Sequence, residues 1–328
     1  MHELHNTNSP TIKGLAALFQ DEYRYSQFFR DDSAAHLMTE LMAKRTIEQA
    51  DAGHEASYFW SGDSLEGVVL RYPKNFTQFG FEGDELVVAL RPHSQAAVQW
   101  AEAQILSMRW SKTRNTVGKL SGFHQELLPT IYEVGLGIDA IGLMGATQPA
   151  FDYFQGTNVS NMEVDSLGLS CIPLDETRVD DVVLLRERTF RQVPEYCWFG
   201  ANPGHLETHR LRLLDDLKKP HAWFILLEDD AVVGHFGSAV TPNNPMWGPT
   251  GGLELYFDED FRGLGLGKYA YHRTLSALLK HEVQVFKGIT AQPPVMHLSQ
   301  RMGRQLFEIH LRNDPDFSAA HFSPYLDS

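Results

Sequence analysis

One twelve-residue segment, Phe-Asp-Glu-Asp-Phe-Arg-Gly-Leu-Gly-Leu-Gly-Lys at 257–268, constrains this chain more than any other. The run before it, Gly-Leu-Glu-Leu-Tyr-Phe at 252–257, reads as a strand. After it Tyr271, Leu275, Leu278 and Leu279 recur at i, i+4, i+7 and i+8, the stripe of an amphipathic helix. A strand therefore ends, the chain turns through three glycines at alternate positions, and a helix begins. That junction is an anion site: glycines let the backbone approach a phosphate, successive N–H groups converge on it, and the helix N-terminus adds partial positive charge. Arg262 and Lys268 bracket the loop and are expected to pair with a diphosphate.

Spacing excludes the better-known glycine loops. A P-loop places four residues between its first Gly and the Gly-Lys and follows it with Ser or Thr; three separate Gly263 from Gly267, and Tyr269 follows the Lys. The dinucleotide fingerprint needs two residues between its last glycines, and Gly265 and Gly267 are separated by one. What remains resembles the GCN5-related N-acetyltransferase superfamily, whose signature Arg/Gln-x-x-Gly-x-Gly/Ala is matched by Arg262, Gly265 and Gly267. The lead-in 255–261 and the strand pair around Val232-Val-Gly234 are similar to that family as well, so the resemblance covers about 167–312.

The resemblance implies acetyl-CoA or another acyl-CoA as donor, with its arm along the splayed end of strand 254–258 and its pyrophosphate on the main chain of Gly263, Leu264, Gly265, Leu266, Gly267 and Lys268. A backbone N–H near Phe257 would stabilise the oxyanion, and Asp258 begins the turn into the loop. The family also places a Tyr in its last helix, four residues before a Gly-Phe pair, where it protonates the departing thiolate. Counting back from Gly303, that position is Ser299, and Arg304 replaces the Phe. The acid is thus missing or supplied elsewhere, and Ser299 is left to position a water.

An acceptor amine must lose a proton before it attacks, and a carboxylate or imidazole can take it. Glu254, three residues before the oxyanion position, is the first candidate; His235 and Glu195 are alternatives. The segment 192–199 sets Glu195 beside Tyr196 and Trp198, where the family closes over its acceptor.

The 328 residues suggest two domains, with the polar, turn-forming stretch 155–165 between them: a degenerate acetyltransferase-like domain at 1–157 and the acetyl-CoA-binding domain at 158–328. The second reads as strand, two helices, three strands, helix, strand, helix, strand. The first repeats this order more weakly, with strands at 57–60, 65–72, 85–90 and 138–144, and with Leu-Arg-Pro-His-Ser at 90–94 where the glycine loop would stand. Pro92 removes a donor there. The expected class is α/β: a mixed central sheet flanked by helices, the acyl-CoA N-acyltransferase fold, duplicated.

A net charge of −14 argues against nucleic acid and suits a cationic small-molecule amine. Cys171 and Cys197 make neither a disulfide framework nor a zinc site, so no metal is expected. No signal-like segment or membrane span is read, which leaves a cytoplasmic protein, monomeric or homodimeric.

Overall fold

The computed structural model describes residues 10–24, 26–30, 32–76, 81–110, 115–155, 157, 159, 161–192 and 203–313. They build a mixed α/β molecule around one sheet of eleven strands in the order β1-β2-β3-β4-β11-β5-β10-β9-β8-β7-β6. In chain order these are β1 (Glu55–Ser61), β2 (Ser64–Phe76), β3 (Phe81–Leu90), β4 (Asn115–Ser121), β5 (Gly137–Ala146), β6 (Ser170–Pro173), β7 (Phe224–Glu228), β8 (Ala231–Asn244), β9 (Gly248–Phe257), β10 (Val285–Thr290) and β11 (Gln305–Arg312). Two neighbouring pairs run parallel, β3 with β4 and β9 with β10; the other pairs are antiparallel.

The order is close to palindromic. Reading inward from one end, β1, β2, β3 and β4 meet the same pairing directions as β7, β8, β9 and β10 do from the other, once the edge strand β6 is passed. At the centre each half gives its last strand to the other. β5 pairs with β10, while β11 lies between β4 and β5. Parallel neighbours need a crossover, and helices supply both: α3 (Gln95–Ser107) joins β3 to β4, and α9 (Leu266–Lys280) joins β9 to β10.

The remaining helices are α1 (Ile12–Arg24), α2 (Ser33–Asp51), α4 (Leu128–Glu133), α5 (Thr147–Gln155), α6 (Asn161–Ser166), α7 (Val179–Gln192), α8 (Pro203–Asp216) and α10 (Pro293–Arg301). Leu15, Leu18 and Phe19 of α1 pack on Leu65, Val68 and Leu70. Val182 and Leu185 of α7 pack with Trp223, Ile225 and Leu227. A third core gathers Leu275 and Leu278 of α9 with Phe154 of α5 and Phe286 of β10. A fourth, under α3, takes in Met296, Ile309 and Leu311, so residues from both halves share it.

The turn between β7 and β8 places Asp229 at φ 47° and Asp230 at φ 78°. Two consecutive left-handed residues are what a two-residue hairpin requires, and Asp tolerates that region. The stretch 155–165, read from sequence as a turn-forming boundary, contains the first residues of α6. No helix among the described residues is long and apolar enough to cross a membrane.

Candidate functional site

The glycine loop follows β9 through a single 3-10 turn, Glu259–Phe261, which Asp258 caps by accepting from the Glu259 amide at 2.9 Å. Arg188 pairs with the same carboxylate at 2.9 Å and offsets its charge. Gly263 at φ 80° and Gly265 at φ 86° hold the left-handed backbone that favours glycine, and Gly265 is the N-cap of α9. No side chain caps that helix. A Cβ on Gly263, Gly265 or Gly267 would meet nothing within 4 Å, so the cradle is open on its outer side. Lys268 is exposed and has no carboxylate partner among the described residues.

Arg262 does not do what its position suggests. Its Nε donates to the Phe257 carbonyl at 3.0 Å and its Nη2 to Gln192 Oε1 at 2.7 Å. The guanidinium ties the loop back to the end of β9 and to α7, which leaves Lys268 as the outward cation of the loop.

Beside the loop the sheet opens. The β9–β10 ladder stops at Gly252 and Lys287, so the remainder of β9, Leu253 to Phe257, has no strand on that side. The Asp258 amide donates to Val233 across β8 at 2.9 Å. By the alternation of an antiparallel ladder, Leu253, Leu255 and Phe257 therefore turn their amides into the gap. Residues of β9, the loop, α9, β10 and α10 line a groove of about 1480 Å³ that continues across the centre of the sheet. Among the described residues lining it, Lys and Arg outnumber Asp and Glu by nine to five. The whole-chain charge suggested a cationic ligand, but the groove itself favours anionic ones, because charge acts locally.

The candidate proton acceptors separate once their surroundings are known. Glu254 faces the groove between two arginines: Arg186 Nη1 donates to it at 3.0 Å, and Arg212 pairs with its other oxygen. Burial alone would raise this carboxyl, but Arg212 and Arg186 outweigh it and hold the group well below the usual carboxylate range. The structure thus places Glu254 in the groove but ion-paired to two arginines, which weakens a carboxylate as a proton acceptor. Arg186 also stacks on Phe190 and Tyr256, at 4.7 and 4.8 Å, and bonds His209 at 3.0 Å.

His235 is fully buried between Trp223 and Tyr256, at ring distances of 5.1 and 6.4 Å. Burial pushes its imidazole down to about 3. It is a neutral core residue that does not line the groove. Ser299, expected to position a water, is 0% exposed, and its Oγ accepts from Arg304 at 3.0 Å. It braces that cation and does not reach the groove. Glu195, Tyr196 and Trp198 lie outside the described residues.

A pair that sequence reasoning passed over lies on the exchanged strand β11. Glu308 accepts from His310 Nε2 at 2.8 Å, with Lys119 of β4 at 3.5 Å. Burial would raise Glu308, but His310, Lys119 and Lys287 together pull it down to about 2. The register puts this pair on the face of Glu254: Gly252 meets Lys287, Ile289 meets Gly142, and Gly142 meets Glu308. A Cβ on Gly142 would fall 2.5 Å from Glu308 Cγ, so glycine is what lets that side chain lie across β5. No sequence signal marked the pair, because nothing in β11 announces which strands flank it.

Among the described residues no cluster of three His, Cys, Asp or Glu could hold a metal ion. Comparison with curated proteins found no sequence match. In fold the chain is similar to a GCN5-related N-acetyltransferase from Sphaerobacter thermophilus, at 14% identity and a TM-score of 0.56 over 93% of each chain. It is also similar to the GCN5-related glucosamine N-acetyltransferase region of a fungal multi-domain GH3 beta-N-acetylglucosaminidase, at 13% identity and a TM-score of 0.53, over 92% of this chain and 36% of that one. Residues 187–303 match the model of the acetyltransferase (GNAT) family, a span that takes in α8, the β7–β8 hairpin, the open edge of β9 and the glycine loop. Residues 187–303 are thus an acetyltransferase domain of the GNAT family.

Proposed function

We propose that this protein transfers an acetyl group from acetyl-CoA to the amine of a small molecule, directly and within one ternary complex, in the cytoplasm. The observation that carries the reading is the uncapped helix start and glycine cradle at 263–267 standing beside the unpaired edge of β9. Free amides of the loop and Lys268 suit a diphosphate. The inward amides of Leu253 and Leu255 suit an extended, amide-bearing arm, with Phe257 nearer the loop. When bound, acetyl-CoA supplies an activated acyl group.

The rest is the work of the chain. The Arg186–Glu254–Arg212 cluster fixes charge on one wall of the acceptor side. With Nε2–H donating a hydrogen bond to Glu308, the Nδ1 of His310 keeps its lone pair, which makes it the proton acceptor the groove supports best. Two strand spacings separate β10 from β11, roughly 10 Å, a gap that side-chain reach and one water can bridge. We retain 1–157 and 158–328 as the two domains, the first without a donor site because Pro92 and its neighbours replace the glycines.

Calorimetry with acetyl-CoA, followed by thiol release in the presence of amines with and without a carboxylate or phosphate, tests the reading. Gly265→Val is expected to abolish acetyl-CoA binding in a folded protein, because valine disfavours φ 86° and blocks the cradle. Unchanged affinity removes the donor site from this loop. Binding without thiol release across the panel would instead favour a regulatory acyl-CoA sensor.

A further inference from the structure

We propose that Tyr271 of α9 is the general acid that protonates the departing sulfur, held in place by Arg304; this rests on the acetyl-transfer reading above. Ser299 and Arg304 are two of the positions at which the last helix and the turn after it depart from the pattern the chain resembles, and in the structure they touch. Arg304 Nη1 donates to Ser299 Oγ at 3.0 Å and to Tyr271 Oη at 3.4 Å. Its Nη2 donates to the Leu143 carbonyl at 2.7 Å and to the Gly288 carbonyl at 3.3 Å. Gly288 is the first residue of β10 beyond the last β9–β10 pair. A Cβ there would lie 3.0 Å from the Leu253 carbonyl and 3.0 Å from Arg304 Nη2. The guanidinium therefore occupies the point where the two strands diverge, the inner end of the cleft that an extended arm would enter.

Tyr271 reaches this point from the opposite helix. Its ring is buried and stacks on Phe154 at 6.0 Å, while Tyr271 and Arg304 both contribute to the groove lining. Arg304 is buried too, with its stem over Gly145 and its guanidinium 5.0 Å from the Phe286 ring. Because the arginine donates to Oη, the hydroxyl keeps its own proton to give. A phenolate left behind would face a guanidinium that is already in contact, which stabilises the charged form. An apolar residue at 304 could not do this. The departures at 299 and 304 thus read as one exchange: a phenol absent at 299, where a serine hydroxyl stands, and a cation at 304 that serves a phenol on α9.

The acceptor nitrogen forms its bond to the acyl carbon as the carbon–sulfur bond breaks. One nitrogen proton passes to His310 and on to water. Tyr271 Oη gives its proton to the sulfur, producing the free thiol, and recovers one from water.

Tyr271→Phe in the full-length protein removes the hydroxyl and keeps the ring. Calorimetry with free CoA is expected to show affinity weakened about fivefold, the worth of one hydrogen bond, with acetyl-CoA affinity unchanged. With a responsive amine, kcat is expected to fall at least about tenfold with KM for the amine unchanged. Unchanged CoA affinity and kcat overturn the proposal. Equal weakening toward CoA and acetyl-CoA also overturns it, since that marks a packing role. A wild-type protein that binds acetyl-CoA and releases no thiol with any amine sinks the acetyl-transfer reading itself, and this proposal falls with it.

Discussion

Glu22, buried, and Glu308, half-buried, are two carboxyls that their surroundings drive in opposite directions. Glu22 on α1 lies 3.6 Å from His124 and meets no strong cation, and burial raises it from 4.5 to about 8. The unfolded chain ionises this group near 4.5, whereas the folded chain holds the proton to about 8. Its contribution to stability is complete below 4.5 and is lost as pH rises toward 8. Glu308, lowered to about 2, contributes in full above 4.5, and that contribution is lost as pH falls toward 2. Glu22→Gln, which cannot ionise, is therefore expected to resist the decline: denaturant midpoints measured at pH 5 and pH 8 should differ less in the variant than in the parent, by a stability on the order of 2–4 kcal/mol. An identical decline in both would mean that Glu22 is solvated.

At the level of elements, the sequence was readable where a residue's own conformation decides the structure. The Asp229-Asp230 hairpin, the loop glycines and the stripe on α9 stand where the residues place them. β4 was not legible. Asn-Thr-Val-Gly-Lys-Leu-Ser has only Val117 and Leu120 to suggest alternation, because Gly118 sits where a Cβ would press on Leu86 and Leu311. Strand exchange was invisible for a different reason: Phe307, Ile309 and Leu311 alternate in the same way whichever strands flank them. The site divided along the same line. The donor loop is contiguous and could be read, while the Tyr271–Arg304 contact joins residues 33 apart, and the Glu308–His310 pair, only two residues apart, owes its place in the groove to the strands that flank β11. Gly142 of β5 tests the first of these. Gly142→Ala should push Glu308 out of its bed, cost about 1–3 kcal/mol by overpacking, and lower turnover to the level of His310→Gln while acetyl-CoA affinity holds. Full turnover in both variants would move the proton acceptor elsewhere.

The whole molecule is one sheet, and its middle belongs to neither half. A chain cut between 157 and 158 would leave β5 without β10 and β11, and β11 without β4 and β5. Each piece would expose long unpaired edges, which favour aggregation. Neither fragment is expected to give a cooperative thermal transition alone, while the two expressed together should recover one and with it acetyl-CoA binding. A stable, cooperatively melting 158–328 fragment would show that the central pairing is dispensable.

The exchange of last strands also settles what kind of damage the protein can carry. Where two modules are merely tethered, the one without a donor loop can decay, because its failures stay its own. Here His310 is held in register by β4 and β5, strands of the half that has no glycine cradle. If His310 acts as proposed, a substitution deep in that half, far from the donor loop, is expected to loosen the wall of the groove and to be read out as lost turnover. On the proposed reading, the half without a glycine cradle is therefore expected to tolerate change no better than the half that carries it.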